Sequence, residues 1–315
     1  MTSARRLALV CSALLVTATG CTTSSSSTGT SQESSSSAAP CKGQAIDLVK
    51  DDRLTIATYD PVFAPWFVSN DPGNGQGFES ALGFQAAKKM GFDPHRVKWI
   101  RLPFEDIAKP SGKTFDLALA EVSITRERAK QVDFSTPYAS TRQAVLSTGD
   151  GPLAKARTVS DMRTATLGAS VQTTSLAAIG KVLKPATKAT SFPTIAAATQ
   201  ALNNKKVDGV VVDVPTAEYL AGTQLKDGRL IGTLPGTDEQ LGAVLPKGSK
   251  LTPCLNRALA TLSSDGTISD LKKEWLPRRG KIEELPQGSP STSAKPSPKS
   301  TSAPKPSAKS SSKPD

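Results

Sequence analysis

Between about residues 53 and 277, short apolar or β-branched runs alternate with longer stretches in helical spacing. LTIAT (54–58) predicts a strand, and ESALGFQAAKKM (79–90) predicts a helix ended by Gly91. VKWIRL (97–102) and FDLALAEV (115–122) predict further strands, with a helix starting near Thr125. A second block repeats the rhythm: TATLGA, a helix from about Thr174 to Leu183, KATSF, the helix TIAAATQAL, the run VDGVVVDV and a helix opened by Pro215. A proline in the first helical turn loses no useful donor. LGAVLPKGS (241–249) then leads to an apolar helix, LNRALATLSS (255–264), and an amphipathic one, TISDLKKEWL (267–276).

This alternation predicts an α/β fold of parallel sheets with helices on their faces. Gly, Pro and Asp collect near 149–152 and again near 235–238, so the middle block is expected to be inserted into the first. Lobe 1 would comprise 41–145 and 236–285, and lobe 2 would comprise 146–235. Two connecting strands make a hinge, and a cleft at the carboxyl ends of parallel strands is where small ligands bind.

The flanks are different. Residues 1–40 and 286–315 are so rich in Ser, Thr, Pro and Lys that they cannot bury enough apolar surface to offset chain entropy. The 286–315 tail holds five Lys against Asp315, and the first 40 residues hold Arg5, Arg6 and Glu33, which leaves the body about +6 of the total +11. Those charges are scattered and only 5% of residues are aromatic, so the basic stripe and stacking platforms of a nucleic-acid binder are missing.

MTSARRLALVCSALLVTATGC opens with Arg5 and Arg6, continues with an apolar run from Leu7 to Ala18 and ends in small residues before Cys21. The run is too short to span a bilayer, where about 20 residues are needed, and reads as a secretory signal over 1–20. It resembles a bacterial lipoprotein signal, in which Cys21 is lipidated and 21–40 becomes a tether; an ordinary cleaved signal is the alternative. Export makes disulfides available. Cys11 leaves with the signal and Cys21 takes the lipid, so Cys41 and Cys254 remain as a pair or as two free thiols.

With His95 as the single histidine and no spare nucleophilic cysteine, neither a Ser-His-Asp arrangement nor a His-rich zinc site can be assembled. GNGQGF (73–78) lacks the preceding strand of a dinucleotide fingerprint. No catalytic residue, metal or cofactor is therefore expected.

FDLALAEVSITRERAKQVDFSTPY (115–138) resembles the characteristic segment of the extracytoplasmic solute-binding proteins that serve polar-amino-acid ABC importers. In the same order, LTIATYDPVFAPW and GFESALGFQAAKKMG resemble that family's first strand and helix. ATLGASVQTTS resembles a second-lobe turn, VDGVVVDVPTAEYL the last second-lobe strand, and LGAVLPKGSKLTPCLNRALATLSSDGTISDLKKEWL the closing segment. The resemblance covers about 53–277. It implies a two-lobed periplasmic-binding-protein-like fold with a hinge of two crossover strands (type II). It further implies a monomer lipid-anchored at the extracytoplasmic face of the cell membrane, with a free polar or cationic amino acid as ligand and an ABC-type permease as partner. A cyclohexadienyl-dehydratase-like enzyme and a ligand-sensing lobe without transport are the rival readings.

By resemblance, the Arg128 guanidinium would meet the ligand carboxylate with two charge-assisted hydrogen bonds. Main-chain groups of Glu121 and Ser123 would lie beside the ligand, with the Ser123 hydroxyl as a further donor. The N–H groups of Thr173 and Thr174 would face the same carboxylate, and Asp213 would accept from the ammonium. Asp60, Phe63, Trp66 and Phe104 would set side-chain selectivity. Each has a plainer reading: Arg128 paired with Glu127 on the surface, a threonine or Asp213 capping a helix, and the aromatics as core. The sequence departs from the family at two positions, with Glu121 where Gly or Ser is common and Gln172 where Gly usually precedes the threonines.

Overall fold

The computed structural model describes residue 41 and residues 46–109, 113–276 and 281–288. The expectations for the 1–20 signal, Cys21, the 21–40 tether and the tail from 289 onward lie outside the described residues.

In chain order the first elements are β1 (Leu54–Tyr59), α1 (Phe78–Met90), β2 (Val97–Leu102), α2 (Phe104–Ile107), β3 (Leu117–Ala118), α3 (Arg126–Ala129), β4 (Asp133–Phe134), β5 (Ala139–Thr141) and β6 (Gln143–Thr148). Then come β7 (Leu167–Ser170), α4 (Thr174–Ala178), β8 (Thr190–Phe192), α5 (Ile195–Asn203), β9 (Gly209–Asp213) and α6 (Val214–Thr223). The last are β10 (Gly228–Thr233), β11 (Glu239–Leu241), β12 (Val244–Leu245), α7 (Thr252–Ser264) and α8 (Thr267–Trp275).

The first sheet has the order β2-β1-β3-β12-β4. β1 runs parallel to both β2 and β3, so both its faces are covered, and its residues 54–58 are buried without alternation. On one face, Phe78, Leu82, Ala86 and Met90 of α1 pack with Leu255, Leu259 and Leu262 of α7 and Ile268 of α8. On the other face, Ala57, Ile107, Phe115, Val122, Val132 and Val244 form a smaller core. Gly77 sets the entrance to α1: its φ is +99°, and a Cβ there would lie 2.4 Å from the Trp66 carbonyl oxygen. A Cys41–Cys254 disulfide, with Cα atoms 5.7 Å apart, fastens the start of the body to α7.

The second sheet has the order β10-β6-β9-β7-β8, with β9, β7 and β8 parallel and β6 and β10 antiparallel at the other side. Ala198, Leu202, Ala217 and Leu220 of α5 and α6 cover one face over Val210 and Val212. Met162, Ile179 and Leu183 cover the other over Val145 and Val211.

β5 and β11 pair antiparallel between the two sheets, Glu239 opposite Thr141 and Leu241 opposite Ala139. These are the two crossover strands. The first crossing comes before the turn residues at 149–152, because Gln143–Thr148 already forms β6 of the second sheet; that sheet takes up the chain at 143, not 146. The end of the body is corrected as well. Residues 281–285 were expected in lobe 1 and 286–288 in a free tail, yet this segment lies along the second sheet. Thr233 exchanges main-chain hydrogen bonds with Glu283 and Leu285, each at 2.9 Å, and Val159 and Ser160 N–H donate to the carbonyls of Pro286 and Gln287 at 2.9 and 3.1 Å. Leu285 anchors it, 4% exposed in the core with Met162 and Val211. Arg142 in the first crossing joins Asp238 at 2.7 Å and Glu284 at 3.2 Å, both exposed pairs that contribute little each.

FDLALAEV forms only the two-residue β3, for two physical reasons. Asp116 spends its carboxylate on the N–H groups of Val49 (2.7 Å) and Thr55 (2.6 Å), and the backbone at Glu121 turns to a φ of +55°. Leu119 still donates to the Ala57 carbonyl at 3.0 Å, so the extended run continues past the strand proper.

Because Leu285 is buried, Leu285→Ala is expected to cost about 2–4 kcal/mol of stability in urea unfolding of the body, a typical large-to-small core penalty. A change below about 0.5 kcal/mol would mean that the 281–288 segment does not hold the second sheet.

Candidate functional site

β1, β3, β7 and β9 all point their carboxyl ends, and the loops that follow, at a cavity of about 480 Å³ between the sheets. That is the size range of small-molecule sites, roughly 300–1,000 Å³. Tyr59 ends β1, Glu121 and Ser123 follow β3, Ser170 ends β7 and Asp213 ends β9, and all five line it.

One end of the cavity is cationic. Thr125 starts α3 by accepting from the Arg128 N–H at 3.1 Å. The guanidinium lies over the Phe104 ring, 5.6 Å from its centroid, and donates to the Ser123 carbonyl at 2.9 Å. Across the cleft it also donates to the Gln172 carbonyl at 3.0 Å. The Glu127 side of α3 is exposed, so the surface-pair reading of Arg128 gives way. Burial pulls the Arg128 pKa below its ordinary value, and Glu239 pushes back. The Ser123 hydroxyl donates to Glu239 Oε2, and the Thr174 hydroxyl donates to the same oxygen at 2.8 Å. Thr173 lines the cavity and also caps α4: its hydroxyl accepts from the Leu176 N–H at 3.2 Å and donates to the Ser170 carbonyl at 2.6 Å.

The other end is acidic. Asp213 caps α6, accepting from the Thr216 N–H at 3.1 Å, while also lining the cavity. The Thr216 hydroxyl donates to Glu121 Oε2 at 3.1 Å, and the Tyr59 hydroxyl donates to Glu121 Oε1. Behind this pair, Glu79 Oε1 accepts from the Glu121 N–H at 2.9 Å and from the Tyr138 hydroxyl. Desolvation pushes Glu121 well above the usual carboxylate range, with Asp213 and Glu79 adding like charge, and burial raises Asp213 too.

Phe63 and Phe104 line the cavity, and Phe63 stacks at 11° on Tyr219 of α6 with centroids 6.3 Å apart. Asp60 lines the rim, where Arg101 holds it at 2.8 Å. Trp66 is a correction. It is fully buried in the first core, edge-on to Phe78, and is not among the lining residues. Its indole N–H crosses to the Thr216 hydroxyl at 3.0 Å, so it links the two halves without walling the cavity. Tyr59, Arg101, Thr216 and Glu239 were missed by sequence reasoning. For Thr216, the Pro215 helix start beside Asp213 was the available signal.

A model of the bacterial extracellular solute-binding proteins, family 3, matches residues 54–278. The chain belongs to this family. ABC transporter arginine-binding protein 1 of Escherichia coli (strain K12) is 30% identical over 172 residues, which are 53% of this chain and 68% of that relative. An ancestral arginine-binding protein bound to glutamine is similar with a TM-score of 0.63 and 27% identity, over 73% of this chain and 100% of that one. An ancestral amino-acid-binding protein, a precursor of cyclohexadienyl dehydratase, is similar with a TM-score of 0.61 and 27% identity, over 71% of this chain and 95% of that one. The two-lobed periplasmic-binding-protein-like fold read from the resemblance is the one observed.

In this family 3 solute-binding protein the acidic end couples the site to stability. Glu79 is fully buried, and desolvation lifts its carboxyl to about 7 against the Tyr138 and Glu121 hydrogen bonds. A raised carboxyl keeps its proton in the folded state while the unfolded chain, near 4.5, has already released it. Stability therefore falls as pH rises from about 4.5 to about 7. The melting temperature is expected to decline between pH 5 and pH 7.5, and Glu79→Gln to flatten part of that decline, leaving what Glu121 and Asp213 contribute. A wild-type melting temperature that rises across this window in calorimetry contradicts the assignment.

Proposed function

We propose that this solute-binding protein captures a free amino acid, polar or cationic, between its two halves and delivers it to an ABC-type permease. One observation carries the reading: Arg128, on the side of the first sheet, and Asp213, at the end of a strand of the second, line the same cavity. A zwitterion needs an anionic and a cationic partner together with shelter from water. Its carboxylate would meet Arg128 with the Ser123 and Thr174 hydroxyls, donors that already satisfy the carboxylate of Glu239. Its ammonium would meet Asp213, and Phe63 and Phe104 would flank the side chain. Because the partners come from both halves, the closed state gains contacts that an open one lacks, and this couples binding to closure. Cleavage after 1–20 and lipidation of Cys21 would hold a monomer at the extracytoplasmic face of the membrane, with 21–40 as its tether.

An elimination catalyst of the cyclohexadienyl dehydratase kind is the second reading. It is favoured by Glu121, a carboxyl raised by burial inside the cavity and suited to proton donation. Turnover of prephenate or arogenate by the soluble body separates it from a binder.

A thermal-shift screen of the body against the proteinogenic amino acids tests the main reading. A binder at 100 times its dissociation constant adds about 2.7 kcal/mol. Arg128→Ala is expected to remove the shift; a shift that survives it refutes the site.

A further inference from the structure

Thr216 is where two carboxyls from opposite halves meet. Its N–H donates to Asp213 Oδ1 at 3.1 Å and its hydroxyl to Glu121 Oε2 at 3.1 Å, while the Trp66 indole N–H donates to that hydroxyl at 3.0 Å. Glu121 comes from the loop after β3 of the first sheet, and Asp213 ends β9 of the second. Both open on the same cavity, next to the space where the ammonium of a captured amino acid would lie. The groups facing Glu121 are Tyr59 of β1, Glu79 of α1, Thr216 of α6 and Asp213 of β9, with Tyr138 beyond Glu79. Arg128 is turned to the Ser123 and Gln172 carbonyls, with Glu239 beside it.

Two carboxyls enclosed together cannot both ionise without a cation between them; one keeps a proton until a cation arrives. Resting on the amino-acid reading above, we propose that the Glu121–Asp213 pair holds one proton in the ligand-free protein and releases it when the ligand ammonium enters. Charge balances in this exchange. One positive charge comes in with the ammonium and one leaves as the proton, so the enclosed space never carries two bare carboxylates. The raised position of both carboxyls, caused first by desolvation, puts the exchange above the usual carboxylate range. Asp213 alone is the ammonium partner that the family resemblance implies; Glu121 is the second carboxyl that the geometry sets beside it.

The consequence is proton-linked capture. Wherever the ligand-free pair holds its proton, each unit drop in pH weakens binding by about tenfold, which is one proton of linkage. The experiment is titration calorimetry of the mature body at pH 5.0 to 8.5, in buffers of low and high ionisation enthalpy. L-arginine and L-glutamine are the first probes and the other proteinogenic amino acids follow. The expected result is release of about one proton per ligand at the acid end, with the dissociation constant falling about tenfold per pH unit there. Glu121→Gln is expected to keep measurable binding while proton release falls toward zero and the pH dependence disappears. Wild-type binding with equal heats in both buffers and a flat pH profile overturns the proposal and leaves the amino-acid reading intact. Release that persists in Glu121→Gln overturns it too. Absence of binding by every amino acid at every pH overturns the amino-acid reading and the proposal together. Should Glu121→Gln fail to fold, Glu121→Ser takes its place in the same measurements, with the same two outcomes.

Discussion

Taking a charged group out of water costs several kcal/mol unless a partner meets it. The cleft between the two sheets encloses Arg128, Glu121 and Asp213, with Glu239 behind the lining residues Ser123 and Thr174 and Glu79 behind Glu121. This constraint organises everything around the cavity. Hydroxyls of Ser123, Thr174, Tyr59, Thr216 and Tyr138 are each spent on one of these carboxyls. The guanidinium is held by two backbone carbonyls, one from each half. On the proposed reading, a ligand that brings its own pair of charges takes the part these internal contacts now play, which would couple capture to closure.

The fold supplies the geometry cheaply. Strands that run parallel deliver their last residues to one edge, so a single cleft collects chemistry from segments as distant as 59, 121, 170 and 213. The two crossing strands β5 and β11 leave that edge open to the other half. The 281–288 segment then ties the end of the chain to the second sheet, while the Cys41–Cys254 bridge ties its beginning to the first-sheet helix α7. Each half is thus fastened by one end of the body, and β5 and β11 are the described strands that cross between the halves.

What the sequence made legible is what periodicity and charge can encode. β1 and α1 fall where LTIAT and ESALGFQAAKKM predict them, because a buried central strand and an amphipathic helix each leave an unambiguous pattern. The family segments pointed to Arg128 and Asp213, and the fold brings both to the one cavity. β6 was not predicted: QAVLST is buried on both faces but mixes polar with apolar residues, and Ser147 finds its partner only in the fold, at the Asp208 carbonyl 2.7 Å away. β10 was not predicted either, since GRLIGT carries two glycines and a charge in a six-residue run. Gly232 is small for a tertiary reason: Leu285, more than fifty residues on, occupies the space above it. Trp66 and Glu79 look like an ordinary aromatic and an ordinary helix acid, and only the three-dimensional contact turns one into a bridge and the other into a buried acid.

The two departures from the family pattern have a common explanation in the backbone. Glu121 and Gln172 both sit in the left-handed region, at φ of +55° and +59°. Glycine takes that conformation freely, whereas other residues meet a steric penalty of order 1 kcal/mol or more. A chain that keeps a side chain there gives up stability for something. For Gln172 the backbone carbonyl receives Arg128, a contact that glycine would make equally well, so nothing in the structure explains its side chain. For Glu121 the answer lies in the carboxyl itself, which accepts from Tyr59 on its own half and from Thr216 on the other. Glycine or serine at 121 would leave the Tyr59 and Thr216 hydroxyls without that shared acceptor and Asp213 without a second acid. The strained backbone at 121 is therefore the cost of placing an ionisable group where the two halves meet.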